Sequence, residues 1–282
     1  MDATCRRDGK QVMLKRIFPN EGPHELIIAQ LFSSRQLARD PRNHCVPLLD
    51  IIEMPQNGQK LLVLPFLRPF NNPSFQTFGE FVVFFTQICE VGSFQHSSLR
   101  INSDGALDQG LQFMHQRNIA HRYVWTLPDG MHVLTFDRFR DCTANNIMFD
   151  PSEMYPQGFH PTQMDRSRNF KGRAKRYTRT QRPPRYYLID FGLSRQYPSR
   201  RALDVPLRGG DKSAPEHRNV TRCNPFYTDI YYLGNLVRQE FTMVGLVMRP
   251  ITIACHISYK ILMGHVTRST TASSLCKIWL MT

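Results

Sequence analysis

Residues 186–189, Tyr-Tyr-Leu-Ile, form a short uncharged run that stops at Asp190 and is followed at once by Phe191-Gly192. A run this short, rich in aromatic and branched side chains, reads as a buried strand. Such a strand delivers the Asp190 carboxylate to a fixed point, and the glycine lets the backbone turn directly after it. A carboxylate held in that way suits the retention of Mg²⁺ against nucleotide phosphates. The rest of the chain has to bury this strand and bring partners to its end.

Upstream, residues 10–17 (Lys-Gln-Val-Met-Leu-Lys-Arg-Ile) alternate like a half-buried strand behind the turn Asp8-Gly9. Residues 21–34 follow as a helix, with Leu26, Ile27, Ala29, Gln30 and Leu31 on its period and Pro23 near its start. Residues 44–52 and 60–66 read as two strands joined by a turn at 56–59. Residues 78–90 are predicted as an aromatic-rich core helix, and 229–241 as a second helix opening on Asp229. The fold class is α+β, and 282 residues suffice for one two-lobed domain with a sizeable core.

Two stretches interrupt this order. Residues 91–109 are rich in helix breakers, yet joining Glu90 to Gly110 places Phe85, Ile88, Leu111 and Met114 on one apolar stripe. Residues 123–140 separate His121-Arg122 from Asp141. Both are whole numbers of codons, begin where a splice donor can be spelled and end where AG can be spelled. We read them as retained introns, because loops this long inside an element argue against themselves. Met243-Val244-Gly245 offers a further donor, after which residues 244–282 read as an unrelated tail.

Composition excludes several classes. The seven cysteines contain no Cys-x-x-Cys pair, which points to reduced thiols rather than a disulfide framework or zinc site. The ten histidines show no ligand spacing. Neither a signal peptide nor an uncharged run of spanning length occurs, so a soluble intracellular (cytoplasmic or nuclear) protein without a membrane contact is expected. The net charge of +13 is concentrated: residues 166–185 hold nine basic side chains and no acid, leaving 27 basic against 23 acidic residues elsewhere. This stretch is expected to be a solvated insertion between two strands, with a nucleic-acid or acidic-partner contact as the alternative.

In their order, His121-Arg122, Asp141-Cys142-Thr143-Ala144-Asn145-Asn146, Asp190-Phe191-Gly192, Ala214-Pro215-Glu216 and Asp229-Ile230-Tyr231-Tyr232-Leu233-Gly234 resemble the protein kinase-like superfamily, and within it fungal kinase-like proteins. The resemblance implies a bilobal α+β kinase-like fold that uses ATP and Mg²⁺. It implies that Lys15 contacts the phosphates, that Glu25 holds Lys15, and that Asp141 is the catalytic base beside Arg122. Asn146 and Asp190 would carry the metal. Glu216 is expected to be structural, Asp229 to cap and steady the catalytic loop through backbone N–H groups, and residues 193–213 to form the activation segment.

The chain also departs from that pattern. No Gly-x-Gly-x-x-Gly precedes Lys15, so the small lobe (1–67) is expected to lack its first strand and phosphate-covering loop, with residues 2–4 ending the second. The large lobe (68–243) is expected to stop after its central helix. Thr143 stands where serine/threonine kinases usually carry a lysine. The implied activity is phosphoryl transfer to Ser or Thr hydroxyls of a protein substrate, impaired or absent in this chain. The alternative is a pseudokinase-type scaffold without catalysis, contacting anionic partners through 166–185. Oligomeric state is not legible.

Overall fold

Alternation over residues 11–17 gives the strand on which the rest of the first unit is arranged. In the computed structural model, which describes residues 1–17, 24–55, 58–88, 110–122, 146–206 and 222–237, β1 (Asp2–Thr4) and β2 (Gln11–Ile17) form an antiparallel hairpin. Its turn closes through Cys5 N–H donating to Lys10 O at 2.8 Å and carries Gly9 at φ 70°, a conformation glycine adopts without steric cost. β3 (Asp50–Glu53) and β4 (Lys60–Pro65) complete an antiparallel sheet of order β1-β2-β4-β3, with Lys15 opposite Leu62. Helix α1 (Glu25–Phe32) buries Ile28, Ala29 and Phe32, the i, i+1, i+4 pattern of a one-faced helix. Of the expected helix 21–34, residues 21–23 lie outside the described set.

The strand expected over 44–52 is shorter than its apolar content suggests. Its first half leaves the sheet and lies beside β8 (Tyr186–Leu188): Leu188 N–H donates to His44 O at 2.6 Å, and Val46 N–H to Leu188 O at 2.9 Å. Backbone groups of a buried run must find partners, and those of 44–46 find them there.

β8 is also the edge of a three-stranded sheet with β7 (Ile147–Phe149) and β5 (Arg68–Pro69), in the order β5-β7-β8. Helix α2 (Phe78–Ile88) covers it: Phe84 stacks on Phe70 at 5.0 Å and meets Tyr186 edge-on at 5.0 Å. Gln87 secures the open side, its Oε1 accepting from Tyr186 N–H at 2.9 Å and its amide donating to Pro184 O at 3.2 Å. Aromatic rings packed this way contribute both area and ring-to-ring attraction.

Helix α3 (Leu111–His115) begins directly against the end of α2. Gly110 sits at φ 52°, and a Cβ there would lie 2.6 Å from both Gln87 O and Ile88 O. The apolar stripe Phe85, Ile88, Leu111, Met114 is buried as a set. Residues 91–109 themselves lie outside the described set. Gly110→Ala is expected to lower stability by about 2 kcal/mol through the contact and the left-handed φ. A urea titration checks this: the midpoint should fall with the slope unchanged.

Between β7 and β8 the chain makes a long excursion whose basic residues are exposed, as expected of a solvated insertion, with one exception. Arg179 is 3% exposed. Its guanidinium donates to Phe70 O at 2.6 Å, Pro73 O at 2.8 Å and the Tyr186 hydroxyl at 3.0 Å, and it lies over the rings of Phe75 and Phe149. Arg185 donates to Pro41 O and Asn43 O. From the other side, buried Arg68 lies over Tyr155 and Phe159 and donates to Met164 O and Asn72 O. Burial pulls the Arg68 pKa down to about 10, which still leaves it charged at neutral pH. Within the insertion Arg179 is an internal strut and Arg185 ties its end to residues 41 and 43, while the other basic residues face solvent.

The described part of the second unit comprises Arg122 with residues 197–206 and 222–237. Its helix α4 spans Pro225–Val237, one turn earlier than predicted. Asn224 caps it, its side chain accepting from Phe226 N–H at 2.9 Å, and Pro225 fits the first helical position. Asp229 therefore lies inside the helix rather than opening it. Asp204 and Cys223 exchange paired backbone hydrogen bonds, and Tyr197 packs edge-on against Phe226. Among the described residues no helix is long and apolar enough to cross a membrane.

Candidate active site

Three elements remote in sequence converge in the first unit. Lys15 projects from β2, Glu25 is the first residue of α1, and Asp190 follows β8. Lys15 Nζ donates to Asp190 Oδ1 at 2.6 Å and also to Glu25 Oε1. Pairing of β2 with β4 fixes the root of Lys15 opposite Leu62, and the helix start fixes Glu25. Asp190 is held by its own backbone at φ 63°, ψ 78°, with its carboxylate accepting from Gly192 N–H at 3.2 Å. A Cβ at Gly192 would stand 3.1 Å from that carboxylate oxygen, so glycine keeps the space open.

The three groups are unequally buried: 8% of the Glu25 side chain is exposed, 31% of Lys15 and 49% of Asp190. Burial alone would lower the Lys15 pKa, but the two carboxylates outweigh it and the ammonium is raised above its ordinary value. Burial would raise Asp190, yet Lys15 overrides it and the carboxyl is lowered. Glu25 moves the other way: burial prevails over the attraction of Lys15, and Asp190 adds repulsion, so it is raised. One ammonium shared by two carboxylates accounts for the difference, because the more buried acid loses more hydration. Asp190 thus stands ionised with about half its side chain open to solvent.

Asn146 precedes β7, and its carbonyl accepts from Ile189 N–H at 2.9 Å. This sets Asn146 beside the residue that precedes Asp190, at the same end of the β7–β8 ladder. An ionised carboxylate and a neutral amide at adjacent strand ends suit Mg²⁺, which takes few protein ligands and completes its shell with phosphate oxygens and water. No cluster of three or more His, Cys, Asp or Glu able to hold a metal occurs among the described residues.

The turn after Asp190 is clamped from within. Phe191 is buried, packing against Phe32 of α1 at 6.2 Å and edge-on to His121 at 5.7 Å. His121 contacts Ile189 O through Nε2 at 3.1 Å, and Ser194 Oγ donates to His121 O at 2.9 Å. β6 (Ile119–Ala120) pairs with β9 (Arg195–Gln196), tying the segment after Asp190 to the one that carries His121.

Arg122 belongs to the second unit. It has φ 58°, and its N–H donates to Asp229 Oδ1 at 2.6 Å, the backbone contact anticipated for that aspartate. Its guanidinium pairs with Asp204 at 3.1 Å and donates to Val205 O; Tyr197 donates to the same Asp204 carboxylate at 2.6 Å. Asp204 escaped the sequence reading, since one acid in a segment of several arginines carries no signal of its own. Asp141, Thr143 and Glu216 lie outside the described residues.

The fold is α+β, and its elements run in the order strand lysine, helix glutamate, two further strands, then a strand ending in the Asp190 turn. No family profile matches the chain. A search of curated proteins also finds no match. Among solved structures the chain is similar to the yeast RNA Pol II CTD kinase CTDK-1 complex, with a TM-score of 0.48 and 15% identity, over 85% of this chain and 57% of that one.

Proposed function

We propose that this chain is a protein kinase-like protein that binds ATP with Mg²⁺ through Lys15, Asn146 and Asp190. Its reaction class is phosphoryl transfer to Ser or Thr hydroxyls of a protein substrate. The observation that carries the reading is the meeting of Lys15, Glu25 and Asp190 from three separate elements. Phosphoryl transfer asks a protein for alignment and charge neutralisation more than for covalent chemistry. Lys15 supplies a fixed positive charge for phosphate oxygens, Glu25 keeps it in place, and Asp190 with Asn146 presents oxygens to the metal. The metal, when bound, offsets the charge of the phosphates. Asp141 is proposed to take the acceptor proton.

Thr143, in place of the usual lysine beside that base, favours a second reading in which nucleotide binding persists without transfer and the protein acts as a scaffold. Thermal unfolding with Mg-ATP tests the first step. At a hundredfold excess over Kd, ligand adds about 2.7 kcal/mol, a rise of several degrees for a chain of this size. Asp190→Ala should abolish the rise. Wild-type protein that fails to respond defeats the proposal, and a response that survives in the variant defeats the site assignment. Labelled phosphate transferred to an acceptor protein separates kinase from scaffold.

A further inference from the structure

The excursion between β7 and β8 carries a second constructed feature, independent of the nucleotide site. Residues 166–173 fold back as a small hairpin: Arg166 and Arg173 form a bridge, Ser167 N–H donates to Gly172 O at 2.9 Å, and Phe170 N–H donates to Ser167 O at 2.9 Å. Asn169 Oδ1 accepts from Lys171 N–H and from Ser167 Oγ, tightening the tip. The base is fastened by Ala174 N–H on Asp165 O, His160 N–H on Arg166 O and Tyr177 N–H on Met154 O, all at 2.8–2.9 Å. Buried Arg68 and Arg179 hold the body of the excursion behind it.

The tip presents Phe170, 48% exposed and at φ 62°, its ring steadied by edge contact with His160 at 4.6 Å. A bulky residue in the left-handed region with half its ring in water adds strain and little burial. Around it Arg168, Lys171, Arg173 and Lys175 are exposed, and none makes an ion pair among the described residues. The nearby acids face other partners: Asp165 lies 3.9 Å from Arg166, and Glu153 pairs with Arg182 at 3.2 Å. Tyr177, 42% exposed, adds a second ring beneath Arg182.

We propose that this hairpin binds single-stranded nucleic acid, with phosphates met by Arg168, Lys171, Arg173 and Lys175 and one base stacked on Phe170. Cations alone would serve an acidic peptide or an anionic membrane equally well. A rigidly presented ring among unpaired cations selects a ligand that carries planar faces along a phosphate chain. A lipid surface would instead want apolar neighbours around the ring, where this hairpin has Asn169 and Lys171.

The test is fluorescence anisotropy of the full chain with a labelled twelve-nucleotide oligouridine between 50 and 200 mM KCl. Four phosphate contacts predict a log–log salt slope of about −3, or about 50-fold weaker binding across that range. Phe170→Ala should weaken binding about 10-fold with the slope unchanged. The double variant Arg173→Ala/Lys175→Ala should weaken it and flatten the slope by about 1.4. The changed side chains are exposed, so both variants should keep the wild-type urea midpoint, and a midpoint that falls with affinity overturns the assignment. So does an unaltered affinity in Phe170→Ala, competition by Mg-ATP, or equal binding to oligoglutamate or phosphatidylserine vesicles.

Discussion

Arg179→Ala should cost about 4 kcal/mol of stability, a large fraction of what a domain of this kind possesses. The substitution leaves Phe70 O buried without a donor, worth about 1–3 kcal/mol, removes the donor to half-buried Pro73 O and deprives the Tyr186 hydroxyl of its partner. It also opens a void between the Phe75 and Phe149 rings. Arg179→Lys should recover little, because a single ammonium cannot reach three acceptors arranged for a planar fork. Removing a neighbouring exposed charge, as in Lys175→Ala, should change stability by less than about 0.5 kcal/mol. Chemical denaturation of the three variants decides the matter: equal midpoints for Arg179→Ala and Lys175→Ala would mean that the guanidinium is not an internal strut.

That contrast marks where the sequence stops being readable. Charge identifies Arg179 and Lys175 alike as solvent-facing, and only the coincidence of two carbonyls, a phenol and two rings in space separates them. The same limit explains residues 44–46, whose apolar character was plain but whose backbone partners on β8 lie some 140 positions away. Local signals fared better. The alternation over 10–17, the run 186–189 before Asp190 and the strand-to-helix spacing of Lys15 and Glu25 each depend on a few neighbouring residues, and each is found in the fold, the two strands one residue shorter than read. The early start of α4 was available too, because Asn224-Pro225 is a cap followed by a first-turn proline. The apolar stripe running from Ile88 to Leu111 was legible only once residues 91–109 were set aside.

Lys15→Met should have the larger functional consequence and a pH dependence that identifies its cause. With the ammonium gone, Glu25 is a buried carboxylate facing a second carboxylate, and an unbalanced charge of this kind costs about 3 kcal/mol at pH 7, the low end for a buried pair because Lys15 and Asp190 are partly open to water. Burial and Asp190 already hold Glu25 above its ordinary value of 4.5, and the loss of Lys15 raises it further. A carboxyl raised on folding binds protons more readily in the folded state, so the variant gains stability as pH falls from neutrality toward 4.5. Wild-type protein, whose Glu25 is raised less, gains less, and Lys15 adds no relief because its raised pKa keeps its contribution whole at every pH below its ordinary 10.5. Asp190, lowered in the wild type, adds stability that is lost only as pH drops below about 3.8. The gap between the two proteins should therefore narrow between pH 7 and pH 5, and Lys15→Met/Glu25→Leu should close most of it at both. Stabilisation by Mg-ATP should be lost in both variants, since neither offers the phosphates a charge. A stability difference that stays constant from pH 7 to pH 5 would show that Glu25 is not held charged by Lys15, and the electrostatic account of this site would fail with it.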